Sequence, residues 1–160
     1  MRHPSLGLPP RDLTLGHPEA AAALHAQLAR VAARTLEAAV AADATLAVRH
    51  DELALREILA DVEAMTERLG TAVAANDPHV MAHWAEMVLV RYRKRRIPLD
   101  DLTTLTEALR RVAAQVVAPD AMGSVDACLD AAIAVYRWNR RLGGDAHKRH
   151  PLAALIYKGA

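Results

Sequence analysis

From Glu19 to Leu69 the chain contains neither glycine nor proline, and alanine and leucine dominate the stretch. Glycine and proline interrupt regular structure most effectively, whereas Ala and Leu are among the best helix formers. So long an uninterrupted run is either one very long helix or two helices joined by an ordinary polar turn. It sets the fold class as all-α. It specifies no chemistry.

The remaining composition narrows the class further. At 160 residues a single domain is expected, with enough chain for a real core. Phe is absent and only two Trp and three Tyr are present, so the core must be built from Ala, Leu, Val and Ile. Such side chains favour closely approaching helices over aromatic packing. No run approaches the ~20 consecutive apolar residues of a membrane-spanning helix. Met1 to Pro10 carries no apolar h-region, so a secretory signal is not expected. Cys128 is the only cysteine, which excludes an internal disulfide framework and suits a reducing cytoplasm.

A formal net charge of +1 conceals an asymmetry. Met1–Val80 holds 7 basic and 11 acidic residues, a net of −4, and Met81–Ala160 holds 13 basic and 8 acidic, a net of +5. The basic excess falls in Arg91, Arg93, Lys94, Arg95 and Arg96, and again in Arg137, Arg140, Arg141, Lys148 and Arg149. A split of this kind can steer one half of a molecule onto another copy or onto an anionic partner.

Residues 1–17, with Pro4, Pro9 and Pro10, read as a loose arm, and 18–143 as a bundle of about five helices. Pro18 opens the first helix, with Glu19 suiting the positive end of its dipole. Leu24, Leu28 and Val31 begin its apolar stripe. The best break is near Asp43, with His50-Asp51 as second choice. The next helix reaches about Ala75, and Leu55, Ile58, Leu59, Val62, Met65, Leu69 and Val73 recur on one face. Asn76-Asp77-Pro78 is a restart, with Asp77 as cap and Pro78 at the first helical position. That helix is expected to turn Val80, Met81, Trp84, Met87 and Val88 inward and to end in Arg91–Arg96, where cations suit the dipole. After Ile97-Pro98-Leu99-Asp100-Asp101, the residues Leu102, Leu105, Leu109, Val112 and Val116 form the cleanest stripe of the chain. Ala118-Pro119-Asp120 breaks it. The last helix places Val125, Leu129, Ile133 and Tyr136 on one face and stops at Gly143-Gly144. Residues 144–160 are a basic linker and a short apolar tail, in which Leu152, Leu155, Ile156 and Tyr157 are expected to dock on this bundle, a second copy or a partner.

Few residues offer chemistry. His79 and His83 stand four apart and can point the same way, with Glu86 three further on, a spacing that could hold a transition metal. The plainer reading is a solvent-facing His79 and a partly buried His83 beside Trp84. A Glu-x-x-His pair of the di-iron bundle type is absent. A haem or other tetrapyrrole would need an axial histidine in an apolar pocket, for which His25, His50 and His83 are candidates by their nearness to apolar stripes. Against this, each can equally be a satisfied core histidine, and porphyrins usually lie against aromatic rings. Cys128 borders the last stripe, where a buried cysteine acts as a small hydrophobe. Arg91, Arg93, Lys94, Arg95 and Arg96, with Tyr92 between them, could grip phosphates, but a solvated helix end explains them as well. Asp100 and Asp101 stand where a DNA-reading helix would begin, so nucleic acid is not an expected partner. No phosphate loop, nucleophile elbow, zinc-binding cysteine pattern or paired-carboxylate site can be picked out, so an enzyme is not expected.

One region has a recognisable pattern. It comprises Leu55-Arg56 and Asp61 on a long helix, Ala75-Asn76-Asp77-Pro78, Trp84, Val90-Arg91, Arg96-Ile97-Pro98-Leu99-Asp100-Asp101-Leu102, and Leu109. In this order it resembles the globin-like or sensor-like helical module of bacterial signalling proteins that precedes cobalamin-binding or STAS-type domains. The resemblance spans about half of the chain, and its residues are structural signposts, not a catalytic signature. It implies a regulatory, dimeric module. The chain departs from the pattern in having a short apolar tail, and no output domain, after Gly143-Gly144. The expected function is therefore a cytoplasmic, non-enzymatic sensor or interaction module that forms a homodimer and engages a signalling partner through its tail. The alternatives are a tetrapyrrole- or metal-binding protein using His83 or His25, and a binder of anionic surfaces using Arg91–Arg96.

Overall fold

The computed structural model describes residues 16–143. Among them the chain is all-helical: α1 (Pro18–Ala26), α2 (Leu28–Ala42), α3 (Thr45–Arg49), α4 (Glu52–Ala74), α5 (Pro78–Lys94), α6 (Leu99–Ala113) and α7 (Met122–Gly143), with a 3-10 turn at Pro119–Ala121. Seven helices replace the five or so expected, because the first long stretch is divided three times. Breaks occur at Asp43-Ala44 and at His50-Asp51, both of which the sequence marks. The third, at Gln27, has no local signal: Gln27 is neither a breaker nor a common cap, and its backbone leaves the helical region at φ −117° and ψ 21°. The division follows from packing. α1 lies against α4, whereas α2 turns away to reach α6 as well as α4.

α4 runs through the centre, packed on α1, α2, α5 and α7, and α7 closes the opposite side against α5 and α6. Buried apolar residues from all seven helices join one cluster that includes Leu24, Val31, Leu46, Met65, Met81, Leu109 and Leu129. The expected stripe of α6 is buried at Leu102, Leu105, Leu109 and Val112, while Val116 is only half-buried. Met87 is a correction: it is 51% exposed rather than inward, because it lies on the side of α5 opposite α7 and the core.

Two tight turns set the geometry of the central helices. Asn76 adopts φ 47°, Asp77 N–H donates to Ala72 O at 2.8 Å, and Asn76 N–H donates to Val73 O. This paired arrangement satisfies the last carbonyls of α4. Asp77 then caps α5, accepting from His79 N–H at 3.1 Å. The same device ends α5: Arg96 takes φ 56°, and Ile97 N–H donates to Tyr92 O at 2.9 Å. Asp51 caps α4 by accepting from Ala54 N–H at 2.8 Å.

Candidate functional site

The basic segment at the end of α5 serves mainly to hold helices together. Arg91 Nη2 lies 2.7 Å from Asp61 Oδ1 on α4, and Arg95 pairs with Glu57 and approaches Asp61 Oδ2 at 3.7 Å. Arg93 donates to the Asn139 carbonyl of α7 at 3.1 Å. Arg96 occupies the left-handed turn position, and Lys94 is exposed. Asp61 itself is buried. Burial raises its pKa above the ordinary carboxylate value, and Arg91 and Arg95 oppose that shift without cancelling it.

A second polar knot joins α3 to α6. Asp101 accepts from Arg49 Nη2 at 2.6 Å and from the His50 ring at 2.7 Å. Its side chain is 2% exposed. His50, considered above as an axial ligand, is thus engaged by a carboxylate and is a satisfied core histidine. A third knot was not singled out from sequence. Arg110 on α6 bonds Glu107 at 3.0 Å, Asp126 at 2.7 Å and Asp130 at 2.5 Å, tying α6 to α7. Desolvation works against the Arg110 cation, but the three carboxylates outweigh it and raise its pKa. Cys128 is buried, and burial pushes its thiol up to about 12, so it is held as the neutral, unreactive form.

The histidine candidates distribute differently from expectation. His79 is half-buried and His83 is exposed, the reverse of the plainer reading given above. His25 is exposed on α1. Neither His25 nor His83 points into an apolar interior of the kind an axial haem ligand requires. His79 and His83 do come together, lining a cleft of ≈ 360 Å³ between α4 and α5 with Arg68, Val80, Trp84 and Met87. Glu86 is not part of that lining. No group of three His, Cys, Asp or Glu side chains placed to hold a metal ion occurs among the described residues.

A second concavity is apolar. Ala33, Leu36, Glu37, Val40 and Ala41 of α2, with Leu59 of α4, line an open groove of ≈ 510 Å³. Leu36, Val40 and Leu59 rest on the core and keep part of their surface outside. The tail residues Leu152, Leu155, Ile156 and Tyr157, and most of the N-terminal arm, lie outside the described residues. No described helix is long and apolar enough to cross a membrane.

No protein-family model matches the chain, and neither a curated protein nor a solved structure matches it. Among the described residues the fold is an all-α arrangement of seven helices, carrying an apolar groove on one side and a cleft lined by Arg68, His79 and His83 on another.

Proposed function

We propose that the chain is a non-enzymatic helical interaction module of the regulatory kind, working as a homodimer joined through α2. The observation that carries this is the apolar groove along α2. Ala33 and Ala41 are small and exposed, so a neighbouring helix can approach closely, and Leu36, Val40 and Leu59 offer apolar surface to it. Arg30, Arg34 and Glu37 share that outward face at helical spacing, and all three are exposed. Two copies of α2 laid antiparallel about a twofold axis bring Glu37 of each toward the arginines of the other. A self-complementary patch is what a twofold dimer needs. Arg91, Arg93 and Arg95 of the basic segment are engaged by α4 and α7, which favours a structural over an anionic-surface role for them. The globin-like topology and signalling context implied by the resemblance are part of this proposal and rest on those sequence signposts alone.

Light scattering on purified protein at micromolar concentration should report twice the 17.3 kDa chain mass. Ala33→Glu puts a bulky charge into the groove without touching the core. It should give a monomer with unchanged helical content. A parent protein that stays monomeric up to millimolar concentration refutes the reading.

A further inference from the structure

The cleft between α4 and α5 has an unusual charge balance. Arg68, His79 and His83 form its polar lining, and no carboxylate lines it. None of these three side chains makes an ion pair or hydrogen bond with another described residue. Other arginines set between helices behave differently: Arg49, Arg91, Arg95, Arg110 and Arg140 each meet an aspartate or glutamate. The reason is the register of the α4–α5 pair. Asp61 meets Arg91 and Glu57 meets Arg95. Carried on toward the Asn76 turn, the same antiparallel register sets Arg68 across from Trp84, where no acid stands.

The apolar part of the wall is equally defined. His79, His83 and Met87 follow one another at four-residue steps along α5, so they form one stripe. Val80 and Trp84 form the adjacent stripe, and Trp84 is almost wholly buried, which fixes its ring as a rigid floor. A volume of ≈ 360 Å³ falls within the range of small-molecule sites. Three nitrogen-bearing side chains beside an apolar floor in one cleft fit a ligand with a charged head and an apolar body.

We propose that this cleft binds a small organic carboxylate. The planar guanidinium of Arg68 matches the two oxygens of a carboxylate, and imidazole N–H groups of His79 and His83 add donors at the same head. An aromatic or branched aliphatic body packs on Trp84, Val80 and Met87. The site goes beyond dimerisation through α2 and does not depend on it, because it lies on different helices and uses none of the groove residues. Bound there, a carboxylate would give a regulatory module an input.

Calorimetric titration of the full chain with naphthoate tests this, with naphthalene methanol as the neutral analogue and inorganic phosphate as the head alone. Saturable binding of one naphthoate per chain is expected, with both controls weaker by about tenfold or more. The Trp84 indole N–H resonance should move during the titration and that of Trp138 should not. Arg68→Ala should weaken naphthoate about tenfold, with Arg68→Lys falling between the two. Arg68 is exposed, so neither variant threatens the fold. The Ala33→Glu variant should bind as the parent does, which separates failure of this site from failure of the dimer. Four results would each overturn the proposal: no saturable naphthoate binding, equal affinity for the neutral alcohol, phosphate binding as tightly as naphthoate, or an Arg68→Ala variant that binds unchanged.

Discussion

Removing the carboxylate of Asp101 should destabilise the bundle by about 3 kcal/mol, from two lost hydrogen bonds of unequal value. Bonds to charged groups contribute about 1.5–3 kcal/mol each when buried. Arg49 keeps an alternative, because its Nη2 also lies 2.9 Å from Asp43 Oδ2 and its side chain is 26% exposed to water. Its share falls at or below the low end of that range. The His50 ring is nearly as buried as Asp101 and loses the acceptor 2.7 Å away, so its share is the larger. Asp101 also stands in the first turn of α6, where a negative charge contributes about 0.3–1 kcal/mol through the helix dipole. In a chain of this size a loss of about 3 kcal/mol lowers the melting temperature by roughly 10 °C. Urea unfolding followed by circular dichroism at the helical band measures it. Asp101→Asn retains one acceptor oxygen and should cost about half as much. A double-mutant cycle with His50→Ala isolates the pair, and coupling above about 0.5 kcal/mol is expected for side chains in direct contact. If Asp101→Ala leaves the urea midpoint unmoved, or if the two changes add without coupling, the knot between α3 and α6 does not hold the bundle as argued.

Leu109→Ala empties a fully buried position on α6 and should cost about 2–5 kcal/mol, and an unshifted urea midpoint would mean the buried face is wrongly assigned. Gly16→Ala should destabilise by about 1–3 kcal/mol, because a Cβ there would lie 1.9 Å from the Ala74 carbonyl oxygen, and the backbone rather than a flexible side chain must move; a melting temperature equal to the parent's would show that the chain does not pass so close. Asp61 governs a pH dependence. Its folded pKa is raised, so from the ordinary value of 3.8 upward the folded chain holds a proton that the unfolded chain has released, and this group's contribution to stability falls as pH rises through that window. Asp61→Asn removes the slope, so its stability relative to the parent should improve from pH 4 toward neutrality, and a difference that is constant or moves the other way refutes the assignment.

How far the fold was legible depends on whether a signal is local. Asp77-Pro78 and Asp51 are start signals that work within one turn of helix, and both helices begin where they indicate. The ends of the same helices also fall where the sequence places them, at Ala74 and Lys94, but the device that closes them was not readable. Asn76 and Arg96 take the left-handed position that glycine usually fills, and an arginine there resembles any other member of a basic run. Gln27 shows the limit of propensity, since the break there is imposed by where α1 and α2 pack. Periodicity located the buried stripe of α6 but misplaced Met87, because a wide apolar pattern on α5 does not say which edge meets α7.

Charge was legible as a count but not as a pattern of contacts. Arg91 and Arg95 read as a free cationic cluster because their partners Asp61 and Glu57 lie 30 and 38 positions away in sequence. Only the antiparallel register of α4 and α5 brings them together, and that register also leaves Arg68 without an acid. α2 poses the same difficulty in apolar form. Val31, Ala32, Thr35 and Ala39 are buried, while Ala33 and Ala41 are exposed and line the groove. Identical alanines stand on both sides of this helix, so its hydrophobic pattern alone cannot say which side faces the core and which faces outward. The assignment comes from α6 and α4, which cover one side of α2 and leave the other open. An interaction surface built from alanine is therefore a property of the packed bundle, and Ala33→Glu perturbs it at a position where the core has nothing to lose.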